Sequence, residues 1–132
     1  MPADRVEIVR RTADQWNHRA WAEMEAALEP DVIVVPPEGW PEGDTMHGWP
    51  AWKRQIERLK DSWDQDHVEI EELAETGDKI LVKYRWTMRG KDSGIPFAQP
   101  TWCVFSFRGD RVARMEYFME ESLALEAARV PE

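Results

Sequence analysis

The sequence predicts a single α+β domain in which helices pack against one face of a curved antiparallel sheet. Three observations support this. Apolar residues recur at helical spacing in the first half of the chain, they alternate in the second half, and tight-turn signals separate the alternating segments. Helices gathered early and strands gathered late are typical of α+β folds. Because the chain has 132 residues and no internal repeat, we expect one domain over residues 1–132.

Three helices are predicted in the first half. The first has an apolar stripe from Val6 to Trp16, with Asp4 as its capping residue. A second, shorter helix follows and is expected to end at Pro30. Pro50 suits the first turn of a third helix. The apolar stripe of this third helix is the clearest in the chain and consists of Trp52, Ile56, Leu59 and Trp63.

Strands dominate the remainder. We predict a short strand at 32–35, an alternating pattern from residue 67, and strands over 80–88, about 101–107 and 112–119. Gly77-Asp78 and Gly109-Asp110 mark tight turns between them. Residues 122–129 are expected to form a closing helix. The Pro- and Gly-rich segment from Pro36 to Gly48 is long for a simple connection, which favours a functional loop.

Composition excludes several classes of function. The net charge of −9 repels phosphate backbones, so we expect no nucleic-acid partner. Cys103 is the only cysteine, which rules out an intramolecular disulfide and a cysteine-based metal site. No apolar run approaches the roughly 20 residues needed to span a membrane, so a cytoplasmic location without membrane contact is expected. No motif indicates a cofactor or a metal.

Four segments resemble the SnoaL-like branch of the nuclear-transport-factor-2-like superfamily. They are residues 28–32, Gly48, residues 77–82 and residues 105–118. The resemblance implies a cone-shaped, cystatin-like α+β barrel, in which the curved sheet wraps around the helices and leaves an open-ended apolar pocket. It also implies a homodimer. Relatives of this kind include polyketide cyclases, ketosteroid isomerases and epoxide hydrolases, so the fold alone does not define a reaction.

The catalytic residues of these relatives are missing at the matching positions. Met119 stands where polyketide cyclases have a catalytic Asp, and a thioether has no proton to exchange. The ketosteroid isomerase base, acid and tyrosine fall near Pro36, Cys103 and Thr12. Arg85 lies on the strand face opposite the one that should line the pocket, which argues against an epoxide hydrolase. Whether the chain is an enzyme therefore stays open.

His47 and Asp44 are the candidate catalytic residues that remain. A histidine near the pocket mouth titrates close to neutral pH and suits general acid or base chemistry. The plainer interpretation is an exposed loop histidine. Two ligands three residues apart are too few for a metal site. Glu38 and Glu42, in the same loop, are the alternative carboxylates.

Aromatic residues carry the strongest indication of ligand binding, because the chain has eight tryptophans. Alternation places several of them on the concave sheet face, and the loop adds apolar side chains that have no role in a core. The free thiol of Cys103 is interpreted as a small apolar group rather than a nucleophile. Trp102 is expected on the outer face, at a dimer interface. The predicted ligand-binding residues are Trp16, Trp40, Met46, Tyr84, Trp86, Cys103, Tyr117 and Met119.

Three functions are compatible with these patterns. The first is a protein that binds a small apolar, ring-containing molecule in an aromatic-lined pocket. The second is an acid/base enzyme of cyclase, isomerase or dehydratase type that uses His47 or a loop carboxylate. The third is a pocket-free dimerisation module whose tryptophans fill the cone.

Overall fold

The computed structural model describes residues 4–37, 43–91, 94 and 96–129. Its elements are, in chain order, α1 (Arg5–His18), α2 (Trp21–Ala26), β1 (Leu28–Val35), β2 (Met46–His47), α3 (Trp49–Ser62), β3 (Trp63–Thr76), β4 (Lys79–Gly90), β5 (Pro96–Arg108), β6 (Arg111–Phe118) and α4 (Glu121–Ala128). The predicted α+β class is confirmed, with a curled and mostly antiparallel sheet.

The six strands form one sheet in the order β2-β1-β6-β5-β4-β3. Neighbouring strands are antiparallel except β1 and β6, which run parallel and pair Val34 with Met115. The pairing register shifts twice between β3 and β4, and again between β5 and β6. Because each bulge bends a strand and increases its twist, the long strands curl around the helices.

The core lies between the concave side of this sheet and the helices α1 and α3. Burial alternates along β4, where every second residue from Ile80 to Met88 is buried. These side chains meet the apolar faces of the helices, represented by the fully buried Val9 and Ile56. The period-two pattern of the sequence thus identifies the inner face of β4 correctly.

Local backbone chemistry fixes where the two long helices begin. The side chain of Asp4 accepts a hydrogen bond from the Val6 amide at 3.0 Å and caps α1 as predicted. Gly48 precedes α3 with a φ of 84°, a conformation that favours glycine. Its amide donates to the Val32 carbonyl at 2.7 Å, which ties the start of α3 to β1. No helix in these parts of the chain is long and apolar enough to cross a membrane.

Several element boundaries differ from the predictions. The second helix ends at Ala26 rather than at Pro30, which lies inside β1 where the pairing with β6 is irregular. A proline fits there because it has no backbone N–H to donate, and an irregular site in the strand pairing does not require that hydrogen bond. The third helix ends at Ser62, so Trp63 begins β3 instead of completing the helical stripe. The strand predicted near 101–107 starts earlier, at Pro96.

The helix α4 packs on the outer face of the sheet. Its Ala124 and Ala128 are buried, and Lys79 donates from the outer face of β4 to the Ala127 carbonyl at 3.1 Å. Trp102 lies on this outer face as predicted but is only 8% exposed within one chain. Its burial therefore needs no second copy, and its placement at a dimer interface stays a prediction. The homodimer itself stays a prediction.

Candidate functional site

An apolar cavity of about 100 Å³ lies between the helices and the concave face of the sheet. Every element from α1 to β6 contributes at least one side chain to its wall. Most of these side chains are aromatic or contain sulfur: Trp16, Met24, Met46, Trp52, Tyr84, Trp86, Phe105, Met115, Tyr117 and Met119. The cone is therefore not filled solid by its tryptophans.

The polar groups of the wall are few and uncharged. They are the hydroxyls of Thr12, Tyr84, Thr101 and Tyr117 and the amide of Gln55. Within the part of the chain that the structure describes, no Asp, Glu, Lys, Arg or His lines the cavity. A buried charge needs a partner or loses its ionisation, so this wall suits a neutral ligand.

The phenol groups of Tyr84 and Tyr117 remain protonated at neutral pH. Burial raises the pKa of Tyr84 well above its ordinary value, an effect to which Cys103 adds and which the Thr12 hydroxyl opposes. Burial also raises the pKa of Tyr117, with Cys103 and Tyr84 adding to the shift. Each phenol therefore offers a rotatable O–H donor together with acceptor lone pairs.

Trp16 and Trp86 form one end of the cavity as an edge-to-face pair, with ring centroids 6.3 Å apart. Asn17, the next residue on α1, makes two hydrogen bonds of 2.9 Å with the backbone of Val68 on β3. This clamp docks the end of α1 on the sheet and brings the Trp16 ring over it. The side-chain amide of Asn17 thus bonds both the N–H and the carbonyl of Val68, as a neighbouring strand would.

Behind these two indoles lies a buried ion pair. The Lys60 ammonium and an Asp66 carboxylate oxygen are 2.9 Å apart, with side chains 2% and 7% exposed. Burial lowers the pKa of Lys60, and the hydrogen bond and charge of Asp66 oppose that shift. Asp66 also accepts from the Trp16 indole N–H at 2.8 Å and from the Trp86 indole N–H at 3.4 Å. One carboxylate thus has three donors.

Six of the predicted ligand-binding residues line the cavity, and their role in binding stays a prediction. They share an inward position on α1, β2, β4 and β6 or just beyond β6, and they are Trp16, Met46, Tyr84, Trp86, Tyr117 and Met119. Trp40 lies outside the described residues, as do Glu38 and Glu42. Cys103 was expected in the wall, but it is completely buried beneath it and is not a lining residue.

The structure does not place His47 in the cavity. It pairs with Ile33 while its neighbour Met46 pairs with Val34, and successive strand residues point to opposite faces. Met46 and Val34 line the cavity, so His47 points outward and is exposed. Asp44 is exposed as well. Neither residue therefore lines the cavity, and their catalytic role stays a prediction.

Sequence reasoning missed Lys60 and Asp66. A lysine on a helix is usually solvated, yet Lys60 is buried. Its position four residues after Ile56 puts it on the apolar side of α3, which is a signal that spacing could have given. Among the residues with described positions, no three His, Cys, Asp or Glu side chains come together to hold a metal ion.

Comparison with known proteins identifies the type of domain. The model of the SnoaL-like domain family matches residues 9–115. No curated protein matches the sequence.

Solved structures share the fold at low sequence identity. TerC co-crystallised with polyporic acid is 19% identical with a TM-score of 0.79, over 94% of this chain and 97% of that one. A ketosteroid isomerase-like protein from Catenulispora acidiphila in complex with trimethylamine is 22% identical, with a TM-score of 0.75 and coverage of 95% and 94%. A protein from Jannaschia sp. described as a SnoaL-like polyketide cyclase is 19% identical, with a TM-score of 0.73 and coverage of 97% and 93%.

Proposed function

Since this chain belongs to the SnoaL-like domain family, we propose that its cavity binds a small, uncharged, ring-containing molecule. The observation that carries the proposal is the wall itself, which is aromatic and sulfur-rich and contains no charged side chain among the residues described. Apolar cavities with a few oriented polar groups are the usual form of small-molecule sites. Two structures of the same fold contain a small molecule, polyporic acid or trimethylamine, which is consistent with small-molecule binding in general.

The size of the cavity limits the ligand. Its volume of about 100 Å³ is small, since the pockets that hold drug-sized ligands measure roughly 300–1,000 Å³. A dry, engineered cavity of about 150 Å³ holds one benzene molecule. We therefore assign the cavity no more than one small ring.

The two phenols give the ligand its orientation. Tyr84 on β4 and Tyr117 on β6, the two strands that flank β5, both project into the mostly apolar cavity. A ring that carries a hydroxyl or carbonyl oxygen gains a hydrogen bond from one of them. A plain hydrocarbon ring of the same size leaves both phenols without a ligand partner, which costs affinity.

The substitution Ala13→Leu is expected to abolish binding of phenol. Ala13 lines the cavity from α1, and the larger side chain occupies the space that the ring needs. Quenching of tryptophan emission and the shift in melting temperature on adding phenol measure binding. His47→Ala, at an exposed outward position, is the matched control and should bind as the unchanged protein does. Failure of the unchanged protein to bind phenol, cyclohexanone or benzene would overturn the proposed function.

Tyr117→Phe tests the hydrogen bond separately from the apolar wall. We expect affinity for phenol to fall about fivefold, because one hydrogen bond contributes roughly 1 kcal/mol. Affinity for benzene, which makes no such bond, should stay within about twofold. Titration calorimetry with both compounds measures the two changes. Equal losses for both would mean that Tyr117 acts through shape alone.

The acid/base alternative has less support, because His47 faces outward and Asp44 is exposed. The other loop carboxylates, Glu38 and Glu42, lie outside the described residues. Among the residues that the structure describes, nothing favours a reaction over binding.

A further inference from the structure

The Asp66 carboxylate accepts hydrogen bonds from two indoles and from an ammonium. It accepts the indole N–H groups of Trp16 and Trp86, at 2.8 and 3.4 Å. It also accepts from the Lys60 ammonium, at 2.9 and 3.2 Å. Hydrogen bonds to a charged acceptor are about twice as strong as neutral ones. This carboxylate therefore holds the Trp16 ring firmly and the Trp86 ring, whose bond is longer, more weakly.

Lys60 completes the support from the same side. Its ammonium lies 4.7 Å from the centroid of the Trp16 ring and therefore also contacts the face of that indole. The backbone of α1 at this point is fixed independently, by the two hydrogen bonds between Asn17 and Val68. Asp66 and Lys60 thus determine the orientation of the rings rather than the position of the helix.

A second cavity lies behind this support. It has a volume of about 490 Å³, and Lys60 and Asp66 line it together with Asn17 and Met88. It shares no described lining residue with the apolar cavity of about 100 Å³. Trp16 and Trp86 line the first cavity and are bonded directly to Asp66, which lines the second. The two indoles and the ion pair therefore form the partition between the cavities.

We propose that Asp66 is a positioning residue that sets the size limit of the ligand. By fixing the rings of Trp16 and Trp86, it closes the inner end of the binding cavity and restricts the cavity to one ring. If the rings were free to turn, the first cavity would open toward the second and admit a longer ligand. This inference rests on the proposed binding function.

The alternative is that the ion pair only stabilises the fold. In that case, changing Asp66 would lower the melting temperature but would leave the preference among ligands of different length unaltered. Selectivity therefore distinguishes the two roles, whereas stability does not.

The test uses Asp66→Asn and a series of ring alcohols: phenol, 2-naphthol and 2-hydroxyanthracene. Both indoles donate to the same oxygen, Oδ2, whereas the Lys60 ammonium is nearest to Oδ1. The ammonium attracts the asparagine oxygen to the Oδ1 position, so the NH₂ group faces the two indole N–H groups and accepts neither. Both rings then lose their acceptor. We expect the affinity ratio of 2-naphthol to phenol to rise about tenfold, the equivalent of losing the charged hydrogen bond of Trp16. Glu69→Gln, an exposed acid on the same strand, is the control and should leave the ratio unchanged.

Each outcome bears on the proposal. A folded Asp66→Asn protein with an unchanged ratio overturns the inference while leaving the proposed function intact. If the unchanged protein binds no member of the series, the proposed function fails and this inference fails with it.

A measurement on the unchanged protein covers the case in which Asp66→Asn does not fold. The indole N–H protons of Trp16 and Trp86 should exchange with solvent more slowly than those of exposed tryptophans, both without ligand and with phenol bound. Trp16→Phe and Trp86→Phe assign the two signals. Exchange at the rate of an exposed indole would show that Asp66 does not hold the rings and would overturn the inference.

Discussion

Replacing Lys60 with methionine is expected to destabilise the folded protein by about 3–5 kcal/mol. Methionine fills a similar volume, so the loss comes mainly from the Asp66 carboxylate, which stays buried without its cation. The free energy of unfolding from urea denaturation measures the change. Asp66→Asn introduced into the same variant should recover part of the loss, because no unpaired charge then remains.

Lys53→Met is the matched control for this prediction. Lys53 lies on the same helix, α3, but is half-exposed, so its loss should change stability by no more than about 0.5 kcal/mol. Equal effects of the two substitutions would show that the ion pair contributes no more than a surface charge does.

The second large effect is expected at alkaline pH, where the native protein should resist formation of tyrosinate. The chain has only two tyrosines, Tyr84 and Tyr117, and both line the cavity. Their phenolate absorbance should therefore stay low in the pH range in which free tyrosine ionises. It should then rise together with unfolding, which circular dichroism follows in the same samples.

The sign of the pH effect follows from the directions of the pKa shifts. Burial raises the pKa of Tyr84, Tyr117 and Cys103 above their ordinary values, so the unfolded chain loses these protons first. Their contribution to stability is complete below roughly pH 9 and is lost as pH rises, by up to about 1.4 kcal/mol per pH unit for each group. Lys60, whose pKa is lowered by burial, acts in the opposite direction but is one group against three.

Two variants check the assignment of this alkaline transition. Tyr84→Phe and Tyr117→Phe should each remove about half of the final phenolate absorbance, because each removes one of two tyrosines. Each should also make the fall in stability with pH less steep. Tyrosinate that forms in a still folded protein near pH 10 would contradict the prediction.

Much of the fold could be predicted because its signals are local. Alternation along β4 identified the inward positions of Tyr84 and Trp86, since a strand presents every second side chain to the same face. The stripe at Trp52 and Ile56 likewise marked the buried side of α3. The helical and the strand periodicity, together with the loop position of Met46, account for the six predicted residues that line the cavity.

The polar support of the cavity could not be predicted in the same way. Asp66 meets Trp16 across 50 residues of sequence and Trp86 across 20, and no local pattern encodes those contacts. Lys60 sits on the apolar side of its helix, but a charged residue is usually assigned to solvent. The outward direction of His47 could not be predicted for a different reason. A strand of two residues has too little alternation to show which side chain points inward.

The parallel pairing of β1 with β6 has a consequence for how this protein folds. These strands are separated by more than 70 residues, and contacts of long sequence separation slow folding because a long loop must close first. On the ribosome, β1 can pair on one side with the two-residue strand β2, but its other side stays open until the segment ending at Phe118 has emerged. The cavity is therefore among the last features to form, and nascent chains that stall before that point expose a half-paired, apolar strand to chaperones.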